Sequence, residues 1–334
     1  TFSQIPAGLR VPFFYVELDN SKANSFSQNM RALLVGLKSA DGSAAANVPV
    51  ICSSADQARQ MFGEDSMLAA MVQKFRDGNL FTELWCAPLA EPVAGVAAIQ
   101  TIAFTGVASA STVAALYIGD TRVPVTVAAT TTNVALAAAF AAEIEANPRL
   151  PVSASAADGT LTLTAKFKGE AGNGIALSLN RRGVAGGEQL PGGITAGPVV
   201  LATPGAGAPS LDGLIANLGD EEYDFIGSAF ADAVSLDALR DEMNDITGRW
   251  SWARQVYGHV YTAKRGSLGT LQAFGVTRND QHATVFGEEA GIGACDYEYV
   301  ASRVARESAL LSAHVARPTQ TGEVVSVLGA AAHE

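Results

Sequence analysis

Apolar and polar positions fall into two textures along the 334-residue chain. In the first, short apolar runs alternate with amphipathic stretches. The runs MRALLVGLKS (30–39), VPVIC (48–52) and TELWCAPL (82–89) have the continuous apolar character of strands buried on both faces. Between them, Ser54 with Gln57 opens a capping box for a helix that stops near Gly63. A second helix starts near Ser66, carries Leu68, Met71, Val72 and Phe75 on one stripe, and stops at Gly78. The same grammar returns after Pro209. YDFIGSAF (223–230), ARQVYGHVYTA (253–263) and HATVFG (282–287) read as strands. A helix from Asp232 presents Leu236, Leu239, Met243 and Ile246, and a last long helix, 296–316, presents Val300, Val304, Leu311 and Val315 before Pro318.

The second texture fills the middle. From 92 to 204 the chain is rich in Ala, Gly and Thr, and period 2 replaces the apolar runs. Ile102 and Phe104 alternate with Thr101, Ala103 and Thr105. In TLTLTAKF (160–167), Leu161, Leu163, Ala165 and Phe167 form one face. Asp158-Gly159 supplies a type I′ hairpin turn just before that strand, and one helix carries Leu136, Phe140 and Ile144 before Asn147-Pro148. The Gly-rich loops GEAGNG (169–174) and GVAGGEQLPGG (183–193) read as hairpin connections.

The fold class expected from this pattern is α/β: a sheet with flanking helices, interrupted by an inserted, mostly antiparallel β domain carrying one helix. The boundaries are an extended N-terminal arm at 1–25, α/β segments at 26–91 and 205–334, and the insertion at 92–204. Within the arm, Pro6, Gly8 and Pro12 discourage a helix, while VPFFYVEL (11–18) is strand-like and lacks a local hairpin partner. The closing run GEVVSVLG (322–329) is also strand-like.

Composition narrows the chemistry. Lys and Arg number 22 against 33 Asp and Glu, a net charge of -11 with no basic run, which argues against a nucleic-acid partner. Cys52, Cys86 and Cys295 lack metal-ligand spacing and read as reduced, buried thiols. No secretory signal opens the chain, and the uncharged stretch 92–119 is too polar to span a membrane.

Catalytic motifs are not found. His259 or His282 can be drawn into a triad with Asp224 or Asp280 and Ser228 or Ser267, but no G-x-S-x-G elbow supports one. His314 falls at the C-terminus of the last predicted helix, where a cation is favourable, and His333 is terminal. The Gly-rich loops lack the Lys-Ser/Thr ending and following helix of a phosphate cradle, and GIGACD (291–296) reads as a helix entry. The acidic runs DEEYD (220–224) and RDEMND (240–245) read as solvated surface. Trp250 and Trp252 in RWSWAR read as core or interface packing. No catalytic, cofactor-binding or metal-ligating residue is assigned, and no cofactor is expected.

Several segments together resemble the tail sheath proteins of contractile bacteriophages, in the Mu-like branch. They are FSQIPAGLRVPFFYVELDNSKA (2–23), SSADQARQMFGEDSMLAAMVQKF (53–75), ELWCAPLAE (83–91), LPVSAS (150–155), GTLTLTAKFKGEAGNGIALSLN (159–180) and PTQTGEVVSVL (318–328). The resemblance implies a non-enzymatic structural subunit with a sheath domain that is subtilisin-like in shape. Its partners would be other sheath subunits, in hexameric rings stacked helically, together with a tail tube protein and a baseplate. Contraction would drive the tube through the host envelope. Terminal arms would add strands to neighbouring sheets, with Val11, Phe13, Phe14, Tyr15 and Val16 as the arm's inter-subunit residues. The chain would be made in the host cytoplasm and reside in the virion tail. Members of the family continue past PTQTGEVVSVL into a further domain, so a chain ending at Glu334 is expected to be short of it and to associate weakly. Two other readings stay open: an α/β hydrolase with a decorative β domain, and a host-surface or glycan-binding module. If the sheath reading holds, the segment 222–317 should present an unpaired sheet edge, not a pocket.

Overall fold

A computed structural model describes residues 30–289 and 291–313. The arm residues Val11, Phe13, Phe14, Tyr15 and Val16, the run 322–329, Val315, His314 and His333 lie outside them.

The chain begins with β1 (Arg31–Leu37), β2 (Val50–Ile51), α1 (Ala55–Phe62), α2 (Met67–Gly78) and β3 (Glu83–Leu89). It continues with β4 (Ala97–Gly106), β5 (Thr112–Ile118), β6 (Thr121–Val127), α3 (Asn133–Glu145), β7 (Val152–Ala157) and β8 (Thr160–Lys168). The short strands β9 (Leu177–Leu179), β10 (Ile194–Ala196) and β11 (Val200–Thr203) follow. It closes with α4 (Asp212–Leu218), β12 (Phe225–Ser228), α5 (Ala233–Met243), β13 (His259–Arg265), α6 (Leu268–Val276), β14 (Ala283–Glu288) and α7 (Asp296–Ala313).

The first and last groups build one six-stranded sheet in the order β14-β13-β12-β1-β3-β2, parallel except for β2. Its central strand β1 reads RALLVGL because both of its faces are covered, and Ala32 through Val35 are buried. On one face α2 and α7 lie side by side. A side chain at Gly227 would meet Val300 and Val304 of α7, and one at Gly36 would meet Leu68 and Met71 of α2. The opposite face carries α5, whose Leu236, Leu239 and Met243 are buried. Helix starts follow their caps: Ser54, Ser66 and Asp232 each accept a hydrogen bond from the amide three residues on. The capping box at α1 is shifted by one residue. Gln57 Oε1 accepts from Ser53, not from Ser54.

Between β3 and α4 the chain makes two antiparallel sheets: a five-stranded one, β10-β4-β8-β7 with β11 also on β4, and a three-stranded one, β6-β5-β9. Period 2 is obeyed in β8, where Leu161, Leu163, Ala165 and Phe167 are buried. Asp158 and Gly159 turn the β7–β8 hairpin with φ of 49 and 79, the signs that a type I′ turn requires. Helix α3 lays Leu136, Phe140 and Ile144 inward, and Phe140 stacks on Phe104.

Three expectations are corrected. VPVIC is not a strand buried on both faces: only Val50 and Ile51 pair, at the sheet edge, and Ile51 is half exposed. Ile246 is not on the α5 stripe, because the helix ends at Met243 and the side chain is exposed. GEAGNG and GVAGGEQLPGG are not hairpins. They join strands of different sheets, β8 to β9 and β9 to β10. Of the two tryptophans expected in core or interface packing, Trp250 packs between Tyr257 and His282, while Trp252 is 88% exposed and outside the core.

Candidate assembly surface

The residues that could have formed a triad are occupied elsewhere. His259, on β13, places Nε2 2.8 Å from Thr284 Oγ1. Burial, with His282 second, holds its pKa below the usual imidazole value. His282 puts Nε2 3.0 Å from Asp245 Oδ1 and its ring on Trp250, while its backbone amide donates to Asp280. Asp224 accepts from the Arg31 amide at 2.8 Å. Ser228 Oγ accepts from Phe230 N, and Ser267 caps α6. Among the described residues neither histidine ring is hydrogen-bonded to a serine. Nor does any group of three or more His, Cys, Asp or Glu side chains among them stand where it could hold a metal ion. Cys52, Cys86 and Cys295 are buried free thiols.

The sheet supplies a surface instead. Strand β14 has one neighbour, β13, and forms an outer edge among the described residues. Beside it lies α6, LGTLQAFGV, an apolar helix with no buried residue, whose Leu268 and Val276 are 68% and 89% exposed. Between α5, α6 and β14 runs a groove of about 550 Å³, lined by Leu236, Leu271, Phe274 and Val285. Lys264 Nζ and the Arg278 guanidinium lie 4.7 and 5.8 Å from the Phe274 ring, and Arg278 also pairs with Asp237 at 2.7 Å. An unpaired edge next to exposed apolar surface is a place where another extended segment can add. The sequence reading anticipated an edge in this segment but missed α6. Gly266, Gly269 and Gly275 mask its helical pattern, and its apolar residues face no core.

At the opposite ends of the strands a polar joint ties the six-stranded sheet to the three-stranded one. Arg265, at the end of β13, bonds Asp296 at 2.8 Å and Glu288 at 3.2 Å. It also donates to the carbonyls of Ile292 and Ala294 at 2.7 and 2.6 Å. Arg181, just past β9, donates to the carbonyls of Gly119 and Gly293, on either side of the joint, and lies 3.5 Å from Asp120. Asp120 in turn pairs with Lys74 of α2 at 2.8 Å. Glu288 is fully buried, and burial, reinforced by Asp296 and opposed by Arg265, pushes its carboxyl up to about 8. The sequence offered no signal for this joint, because its charges come from six separate segments.

Among the described residues the sheet thus offers an unpaired strand edge and an exposed apolar helix, the features of a surface on which other chains can assemble. Residues 204–333 match the family model for the phage tail sheath protein central domain. The chain is also 34% identical over 323 residues to the Mu-like prophage FluMu tail sheath protein of Haemophilus influenzae. That match takes in 96% of this chain and 65% of the relative, so the chain spans about two-thirds of the relative's length. Over these stretches the chain is similar to phage tail sheath proteins. Among solved structures, the sheath tail protein Lin1278 from Listeria innocua is similar at 10% identity and a TM-score of 0.28, over 73% of this chain and 50% of that one. A likeness that loose carries no weight in the assignment.

Proposed function

We propose that the chain is the subunit of a contractile tail sheath, stacking as hexameric rings around a tail tube in the virion tail. Contraction, released at a baseplate, drives the tube through the host envelope. The observation that carries this reading is the match of 204–333 to the sheath central domain, together with 34% identity to a prophage tail sheath protein along nearly the whole chain. Residues 26–91 and 205–334 make the subtilisin-like sheath domain, and 92–204 an inserted outer domain. Residues 1–25 form an arm whose Val11, Phe13, Phe14, Tyr15 and Val16 pair with a neighbouring subunit. Strand pairing suits a lattice that rearranges, since main-chain hydrogen bonds tolerate sliding side-chain contacts, and a non-closing heterologous contact generates a helical stack. The free edge of β14 and the apolar α6 are suited to receive that arm.

The test is sedimentation and electron microscopy of the chain, synthesised in a bacterial cytoplasm and mixed with tail tubes. Weak, partial decoration of the tubes is expected, and Phe14→Asp or Leu268→Asp should each abolish it. A chain that neither coats tubes nor self-associates at high concentration overturns the reading.

A further inference from the structure

Strand β2 is only two residues long, and a pair of thiols lies behind it. Val50 stands opposite Cys86 and Ile51 opposite Trp85. The Cys52 amide donates to the Leu84 carbonyl at 2.9 Å, which carries the antiparallel register one residue beyond the strand. Side chains alternate across a strand, so Cys52 falls on the face of Val50, where Cys86 is its diagonal neighbour. Both side chains are fully buried there, and the two thiols are hydrogen-bonded to each other. The third cysteine, Cys295, lies elsewhere, at the start of α7 against Gly119.

The surroundings make the two thiols unequal. Arg76 of α2 donates to the Cys52 carbonyl at 2.7 Å and to that of Thr82 at 3.0 Å, which fixes its guanidinium beside the pair. The hydrogen bond from Cys86 holds the Cys52 thiol below its ordinary pKa against the effect of burial, and the Arg76 charge acts in the same direction. Burial pushes the Cys86 thiol up. Cys52 therefore ionises first, and the thiolate is the form that attacks a disulfide. It is also the thiol next to solvent. Ile51, Ser53 and Ser54 on either side of it are exposed, and among the described residues β2 has no strand on its outer side. So short an edge opens locally at small cost, which gives a small reagent access to the buried sulfur.

We infer that Cys52 and Cys86 are a redox pair that a low-molecular-weight disulfide closes into an intrachain bond, fastening the edge strand β2 to β3. The Cys52 thiolate attacks one sulfur of the small disulfide, whose S–S bond breaks and releases one thiolate, leaving a mixed disulfide on Cys52. The Cys86 thiol then gives up its proton, its sulfur attacks the Cys52 sulfur, and the second small thiolate leaves. Both protein protons end on the two small thiols, so the protein is oxidised by two electrons and the small disulfide is reduced by two. Closing the loop from 52 to 86 restricts the unfolded chain, which makes the oxidised form the more stable one. The inference is independent of assembly and contraction.

Peptide mapping of the full wild-type chain tests it. The reduced chain is incubated with oxidised glutathione, its remaining thiols are blocked with N-ethylmaleimide, and it is digested with trypsin without reductant. Cleavage after Lys38, Arg59, Arg76 and Arg122 places Cys52 in peptide 39–59 and Cys86 in peptide 77–122. The two should be recovered joined, lighter by two hydrogens than their sum, from protein that runs as a single chain. The oxidised chain should melt several degrees above the reduced one, and dithiothreitol should reverse the shift. Unlinked peptides after prolonged incubation, glutathione left on Cys52 as the end product, a link through Cys295 or between chains, or a link that lowers the melting temperature each overturns the proposal.

Discussion

Arg249 shows what a single side chain does for this fold. It is 1% exposed and donates to the carbonyls of Gly219 and Glu221, pinning the turn after α4 beneath the loop after α5. Burial holds the guanidinium below its ordinary pKa, with Glu242 pulling the other way. Arg249→Ala leaves two carbonyls unpaired and a cavity, and should lower unfolding free energy by about 3 kcal/mol in urea titrations. Glu288 makes a pH prediction. Its folded pKa, about 8, lies above its ordinary 4.5, so the folded state holds the proton more tightly. The corresponding stability is complete below the unfolded value and is lost as pH rises through about 8. Glu288→Gln should therefore flatten the fall in stability of the wild type across that window, a slope of at most ~1.4 kcal/mol per pH unit for one proton. An unchanged slope would rule this residue out as its source.

Helices and strands here are secured unequally. Helices α1 and α2 are capped by Ser54 and Ser66 and bury Phe62, Met71 and Phe75, so local and tertiary signals agree. Ser54→Ala or Ser66→Ala should cost about 1 kcal/mol each by thermal or chemical unfolding. Helix α6 is the contrary case: capped by Ser267, yet burying nothing. Leu268→Asp should leave monomer stability within about 0.5 kcal/mol. The same substitution is expected to abolish tube decoration, and that contrast would separate a packing role from an assembly role.

For the molecule as a whole, the six-stranded sheet meets the antiparallel sheets through a continuous apolar core and, toward the three-stranded one, through Arg181 to Gly119 and Gly293 and Lys74 to Asp120, not through a shared strand. Arg181→Ala removes donors to Gly119 and Gly293 on both sides of the joint. Hydrogen exchange should then rise several-fold in 289–298, while β1, buried at the sheet centre, stays protected. Equal loosening of β1 would show that the joint and the sheet unfold as one unit.

The parallel core was readable because apolar runs such as RALLVGL and capped stripes such as that of α2 have one physical solution each. The β7–β8 hairpin was readable for the same reason: Asp-Gly at a two-residue turn fixes backbone sign and register together. Other features needed the assembled fold. VPVIC could not reveal that only Val50 and Ile51 pair, since an edge strand and a central one differ in their neighbours, not in their own residues. Ile246 failed because Asn244, which accepts from the amides of Ile246 and Thr247, ends α5 before the apolar spacing does. The joint was invisible because charge pairing across six segments leaves no period in any of them. Sequence thus determined which segments must be buried and the family that the chain resembles. Tertiary structure alone decided which strands are left at an edge, because an edge is defined by the absence of a neighbour, and no residue encodes that by itself.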